Sequence, residues 1–228
     1  MITATSTKLS FGENNAQTIY LAPYGIEELA RHVPISDPAL FQYEPSGVIK
    51  DLEGDPEAIV IDREYFEHGM SWGIYEDAIT PDTFVGTVNL NEQRHGKVED
   101  LQYTKRIQEV GTILFEPSAR GRGIGTIAKL AVVKFALEQG DTRFLTASTS
   151  EHNTAAHRSL AKVGFAQTVT WEHLKFPGKE LTTEWLFASP EGQYAIAHLD
   201  TYSPEEKVAI AEGLERYTAA LAAMQIEQ

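Results

Sequence analysis

The sequence predicts a single α/β domain built on a mixed, mostly antiparallel sheet, and three observations predict it. The 228 residues are 42% hydrophobic and 23% charged, a composition that buries one core; at roughly 100 to 200 residues per domain the length suits one generous domain with an appendage. Residues 109–147 read as strand, glycine-rich loop, apolar helix and strand, a crossover unit whose strands run parallel. Two pairs of β-branched and aromatic runs, within 71–89 and 165–187, read as antiparallel partners and make the sheet mixed.

The elements follow in order. An apolar run around Ile19 and Leu21 precedes Tyr24–His32, where the spacing of Ile26, Leu29 and Ala30 suits a short helix. Pro34, Pro38 and Pro45 break any long element, so residues 34–57 read as irregular. Ala58–His68 reads as a second helix ended by Gly69. Ser71–Glu76 and Thr83–Asn89 form a hairpin through Pro81-Asp82, and the charged stretch 92–106 reads as a solvated loop. Glu109–Phe115 is a strand, Gly123–Gln139 a strongly apolar helix and Arg143–Ala147 the next strand. Asn153–Lys162 is a helix with Gly164 as a left-handed C-cap, and Phe165–Trp171 and Leu181–Phe187 are the last strands, around Pro177-Gly178. Ser203, Pro204 and Glu206 form a capping-box signature, followed by the stripe Ile210, Leu214, Tyr217, Leu221 and Met224. The expected division is an α/β domain over residues 1–190 and a C-terminal helical appendage over 191–228, packed on the domain or at a homodimer contact.

Charge narrows the function classes. Nineteen basic against 33 acidic residues leave a formal charge of −14, a field that repels phosphate backbones and anionic lipid and attracts amines. Nucleic acid and membrane are therefore not expected partners. The absence of cysteine removes disulfides, thiolate nucleophiles and thiolate metal sites. No His/Asp/Glu cluster has a convincing metal-ligand spacing, so no metal is expected. The first 15 residues lack the basic and apolar regions of a signal peptide, and no apolar stretch approaches the ~20 residues of a membrane span; the expected setting is cytoplasmic.

The most informative stretch is 115–126, from Phe115 and Glu116 through Arg120, Gly121, Arg122, Gly123, Ile124 and Gly125 to Thr126. Three alternating glycines let backbone N–H groups converge, the helix that follows opens with unpaired N–H groups, and two arginines add charge-assisted donors. A pyrophosphate suits such a site. A Walker loop needs G-x-x-x-x-G followed by a lysine and then a hydroxyl, and no lysine and hydroxyl follow these glycines in that order. A dinucleotide loop needs G-x-G-x-x-G, whereas the spacing here is G-x-G-x-G; Asp141 does lie near the acid's place, so that reading stands beside a ligand-free glycine connection.

Arg120-x-x-Gly123-x-Gly125 resembles the Q/R-x-x-G-x-G/A signature of the GNAT acyltransferase superfamily. Asn153-Thr154-Ala155-Ala156, followed by Gly164-Phe165, is similar to that family's second block, and Glu109-Val110-Gly111-Thr112-Ile113-Leu114-Phe115-Glu116-Pro117 is similar to the Rim-type branch that acetylates N-termini of ribosomal proteins. The resemblance spans roughly residues 17–188. It implies a GNAT-type sheet with a splayed central parallel pair, helices on both faces, and acetyl-coenzyme A as co-substrate. It also implies that residues 120–126 with Asn153 hold the donor, and that the backbone of Leu114, Phe115 and Glu116 hydrogen-bonds the pantetheine. Many members carry a tyrosine seven residues after the asparagine, proposed to protonate the leaving thiolate; Leu160 stands there, and Ser159 and His157 are the neighbouring candidates, with similar serines invoked in the Rim-type branch.

Acetyl transfer requires a neutral amine. At pH 7 a lysine amine near pKa 10.4 is neutral about once in 2,500 molecules, a deficit of about 4.6 kcal/mol, while an α-amine near 7.7 loses only about 1 kcal/mol. The expected base is a carboxylate, Glu109 first, because the Rim-type pattern places a glutamate there, then Glu76 and Glu92. His152 and His157 read as solvated helix-entry residues. The expected activity is N-acetylation of a small-molecule amine or a protein N-terminus by direct transfer; the alternative is a non-catalytic module that binds coenzyme A or a partner.

Overall fold

The computed structural model describes residues 6–12, 17–24, 48–50, 59–61, 69–92, 107–139, 142–172 and 181–227. Its strands are β1 (Thr7–Phe11), β2 (Gln17–Pro23), β3 (Val48–Lys50), β4 (Ile59–Ile61), β5 (Gly69–Glu76), β6 (Phe84–Glu92), β7 (Ile107–Leu114), β8 (Phe144–Ser150), β9 (Ala166–Glu172), β10 (Leu181–Ala188) and β11 (Gln225–Glu227). Its helices are α1 (Ile124–Glu138), α2 (Thr154–Val163), α3 (Pro190–Ala197) and α4 (Pro204–Ala222). Nine strands form one sheet in the order β11-β1-β2-β5-β6-β7-β8-β10-β9, while β3 and β4 pair separately. Every pairing in the large sheet is antiparallel except β7 with β8.

Sequence periodicity produces these layers. Along β10, Trp185 and Phe187 belong to the core cluster that includes residues of α1 and α2, whereas Leu186 and Ala188 belong to a second cluster with Phe144, Ile196 of α3 and Ile210 of α4. Alternate residues of a strand point to opposite faces, so helices cover both. The first face is the larger core: Leu130, Val132, Val133 and Ala136 of α1 pack with Val88, Leu90 and Val110, each large apolar side chain contributing roughly 1.5–3 kcal/mol by burial. The capping box at Ser203 forms as its spacing predicts: the Ser203 hydroxyl accepts from Glu206 N and Glu206 accepts from Ser203 N. The α4 stripe turns inward, with Ile210 and Tyr217 buried. Gly164, at φ 105°, lets the α2 C-terminus meet α4 backbone to backbone; a β-carbon there would collide with the Gly213 carbonyl oxygen.

The hairpin, the central crossover unit, the final strand pair and α4 lie where the sequence places them. Two expectations need correction. Ile59–Ile61, expected at the start of a helix, is a strand paired with Val48–Lys50, which itself interrupts the stretch read as irregular; the β-branched composition of Ile59-Val60-Ile61 favours a strand. Three elements had no expectation: β1, α3 and β11. The expected helix beyond Tyr24, the loop beyond Glu92 and the Pro177-Gly178 turn lie outside the described residues.

One feature of the sheet positions the site. The parallel pairing matches Ile107 to Phe144, Gln108 to Leu145 and Glu109 to Thr146, then stops. Beyond that point β7 runs on to Leu114 against β6 and β8 runs on to Ser150 against β10, so the two strands fork.

Candidate active site

The glycine loop leaves the far end of β7. Phe115 N and Glu116 N both donate to Val85 O, at 2.9 and 3.3 Å, and Phe115 is buried and stacked on Phe84. A 3-10 turn over Pro117–Ala119 leads to Arg120. Gly121 and Gly123 have φ values of 75° and 89°, a region in which a side chain costs about 1–2 kcal/mol. Gly123 is the N-cap of α1 and supplies no side-chain cap. The first helical bond in from this end is Ile127 N to Gly123 O, so the N–H groups of Ile124, Gly125 and Thr126 have no helical partner. Three convergent donors at the positive end of a 15-residue helix form a site suited to a phosphate.

Gly125 differs from the other two glycines. A β-carbon there would lie 3.6 Å from Leu114 Cδ1 and 3.7 Å from Thr112 Cγ2, ordinary contact distances, and would point at β7 where the fork opens. The arginines stand on either side of the loop. Arg120 donates from Nε to Leu114 O (3.2 Å) and from Nη2 to Phe115 O (3.4 Å); Arg122 Nη1 lies 2.9 Å from the Glu76 carboxylate. Of the backbone groups expected to meet a pantetheine, the N–H groups of Phe115 and Glu116 are therefore engaged with Val85, and the carbonyls of Leu114 and Phe115 with Arg120. Backbone groups alternate sides along a strand. Because Phe115 bonds Val85 of β6, the same parity turns the N–H and C=O groups of Val110, Thr112 and Leu114 away from β6, toward the fork.

α2 flanks the fork. Asn153 is its N-cap, with Oδ1 accepting from Ala156 N at 3.1 Å, so one end of this predicted donor-binding side chain is fixed in a cap. Leu160 is buried. Ser159 faces α1: its Oγ accepts from Thr126 Oγ1 at 3.1 Å and from Lys129 Nζ at 3.4 Å. The Thr126 hydroxyl is thus turned to α2, leaving its backbone N–H for the loop. Lys129 had no role in the sequence reading; four residues from Gly125 on an apolar helix, its only signal was a charge in a run of apolar neighbours. His152 is exposed beside Glu151, whereas His157 is half-buried, its Nε2 3.0 Å from Ser150 O and its ring against Trp185; a solvated position for His157 is corrected by that packing.

Of the carboxylates, Glu109 sits where the strands part, paired with Thr146. Register places it on the face shared by Thr146, Ser148 and the fully buried Glu184, opposite the face covered by α1 and α2. Glu76 is committed to Arg122 and lies beside the glycine loop; Glu92 ends β6 opposite Gln108. Among the described residues no group of three or more His, Asp or Glu is placed to hold a metal ion.

The acetyltransferase (GNAT) domain family matches residues 19–166, a span containing the forked strands, the glycine loop and the cap of α2. The chain belongs to the GNAT acetyltransferase family. Solved GNAT structures share its architecture. Mycobacterium smegmatis RimJ in complex with a coenzyme A disulfide is 17% identical, with 97% of each chain covered and a TM-score of 0.62. Arabidopsis thaliana NAA60 in complex with acetyl-coenzyme A is 16% identical over 75% of this chain and 98% of the other, with a TM-score of 0.54. RimL, a ribosomal alpha-N-protein acetyltransferase in complex with coenzyme A, is 13% identical over 74% and 92%, with a TM-score of 0.51. The Rim-type proteins are thus among the folds this GNAT chain resembles.

Proposed function

We propose that this GNAT protein is an acetyl-coenzyme A-dependent N-acetyltransferase that moves the acetyl group directly to a primary amine, a protein N-terminus or a small-molecule amine. The observation that carries the reading is the fork: it opens the sheet between the face covered by α1 and α2, with its loop of backbone donors, and the face that holds Glu109. The residues present suit the donor. The N–H groups of residues 124–126 donate to a pyrophosphate, Arg120 and Arg122 add charge, and the open-side backbone of Thr112 with the Leu114 N–H offers strand-like hydrogen bonds to an amide-bearing arm. Acetyl-coenzyme A supplies the activated acetyl group. Glu109, at the mouth of the fork, takes the amine's proton directly or through water, and Ser159 supports the departing sulfur.

Substrate class follows from charge and arithmetic. An α-amine starts within about 1 kcal/mol of its reactive form at pH 7, and the −14 formal charge concentrates cationic acceptors near the surface. The ribosomal alpha-N-protein activity named for RimL agrees with an N-terminal acceptor. We extend the reading to a cytoplasmic setting on the Rim-type resemblance; no helix among the described residues is long and apolar enough to cross a membrane. One observation favours a non-catalytic coenzyme-binding module: the buried Leu160 replaces the family's tyrosine. Thiol release from acetyl-coenzyme A over a panel of basic N-terminal peptides and small amines separates the two. Turnover, with kcat/KM falling as ionic strength rises to physiological, is the expected result; coenzyme A binding with no acetylation of any acceptor would leave the module.

A further inference from the structure

We propose that Lys129 is a positioning residue of the transfer reaction: it fixes Ser159 as an outward hydrogen-bond donor and places a positive charge behind it, so that the pair holds the sulfur of the bound coenzyme as a thiolate. The inference rests on the proposed function, since it needs coenzyme A in the fork.

Three observations carry it. Lys129 is 93% buried, with 7% of its surface exposed, on a helix whose neighbouring positions are Ala128, Leu130 and Ala131; a lysine so placed loses hydration and side-chain freedom, a cost that apolar packing alone would avoid. Its Nζ reaches Ser159 Oγ across the α1–α2 interface at 3.4 Å. Thr126 Oγ1 donates to the same oxygen at 3.1 Å. A serine hydroxyl has two acceptor sites and one proton. With both acceptor sites filled, Ser159 can act on a third group only as a donor, which is the polarity a leaving thiolate requires. Leu160, next in the helix, offers no hydroxyl to compete.

The electron flow is balanced without a proton leaving Ser159. The amine nitrogen forms a bond to the thioester carbonyl carbon, and the carbon–sulfur bond breaks with its electron pair remaining on sulfur. The nitrogen's proton goes to Glu109 or water. Ser159 keeps its proton and hydrogen-bonds the sulfur, while the Lys129 ammonium offsets the new negative charge, the pattern expected of a preorganised site. A helix–helix lock with no chemical part would use the same contacts, so the test must read the sulfur itself.

The test is an ultraviolet thiolate titration of coenzyme A bound to the full-length protein, without acceptor. The bound thiol should titrate lower than the thiol of free coenzyme A measured alongside, since a cation within a few ångströms favours the charged form by one unit or more. Lys129→Met should raise the bound thiol's pKa by about one unit relative to the unsubstituted protein and lower kcat on the order of tenfold with KM for acetyl-coenzyme A little changed; Lys129→Arg, which keeps a charged donor, should restore most of both. The other charged side chains of α1, α2 and α4, among them Arg158, Lys162 and the Lys134–Glu138 and Glu212–Arg216 pairs, are common to all variants and cancel in the difference. Ser159→Ala, which removes one oxygen, should raise the same pKa and decides the matter if Lys129→Met does not fold. A bound thiol whose pKa is the same in the unsubstituted protein, Lys129→Met and Ser159→Ala overturns the inference while coenzyme binding keeps the donor assignment. Absence of coenzyme A binding in the unsubstituted protein overturns both.

Discussion

The two sides of the fork are built from different materials. On the proposed donor side the groups are backbone: the N–H groups of residues 124–126, the open-side groups of β7, and the positive-φ glycines that aim them. On the proposed acceptor side they are side chains, Glu109 of β7 with Thr146 and Ser148 of β8 and Glu184 of β10, brought to one face by register across three strands. Backbone recognition suits a fixed ligand, because the geometry of a loop and a helix end does not depend on which residues surround it. Side-chain recognition suits a variable acceptor, because each position changes independently.

The largest expected effect separates the two sides by chemistry. Glu109→Gln keeps the shape and removes the proposed base, so kcat/KM for an amine should fall by about 10²-fold or more, with coenzyme A affinity by calorimetry unchanged. Because the deficit to be overcome is larger for lysine than for an α-amine, the loss should be steeper for a lysine-bearing acceptor. An equal loss of coenzyme affinity would mean that Glu109 serves the donor side, and the comparison would break.

The next effect tests the backbone claim with two glycines of one motif. Gly125 has ordinary φ and room for a β-carbon, so Gly125→Ala should raise Tm, worth roughly 0.5–1 kcal/mol for replacing a helical glycine, while weakening coenzyme A binding about tenfold, because the added carbon points into the fork. Gly123→Ala, at φ 89°, should lower stability by about 1–2 kcal/mol and weaken binding by misdirecting the same N–H groups. Opposite signs in stability with the same sign in affinity are the signature of a backbone site. Unchanged coenzyme affinity in a folded Gly125→Ala protein would remove the loop from the donor site.

How much of this was legible in the sequence follows the same division. The glycine loop, Gly164 and the Ser203 capping box are local: each needs a particular residue at a fixed offset, so a reading of neighbours finds it. The residues that partner across space were not legible. Nothing adjacent to Lys129 announces that it meets Ser159, 30 positions away, and nothing near Glu76 announces Arg122, 46 positions away. Short edge strands escape for a related reason. β1 and β11 are held by pairing with each other and by Leu9 in the core, and Gln225–Glu227 alone carries too little apolar pattern to be read as a strand. Ile59–Ile61 failed in the opposite way, since a helix was expected there but the β-branched run pairs with the facing Val48–Lys50.

The smallest effect provides a region remote from both sides. Tyr217 of α4 packs edge-on against Phe187 and is buried, and that burial, with a lesser push from Glu138, raises its hydroxyl pKa to about 12. A phenol near 10 in the unfolded chain and near 12 in the folded one binds its proton more tightly when folded, so its contribution is fully present below pH 10 and is lost as pH rises through 12, to a total on the order of 2 kcal/mol. Stability to urea measured from pH 9 to 12 should therefore decline more steeply in the unsubstituted protein than in Tyr217→Phe, which has nothing to ionise there. Coenzyme A affinity at pH 7 to 8 should be the same in both, because Tyr217 packs on Phe187 of β10 in the core cluster and not on any residue of the glycine loop proposed to hold the coenzyme. A Tyr217→Phe protein with the unsubstituted alkaline profile would place the ionising group elsewhere. A loss of coenzyme affinity at neutral pH would show that α4 docking sets the position of α2, and with it Asn153 and Ser159, making the donor side depend on side-chain packing as well as on backbone.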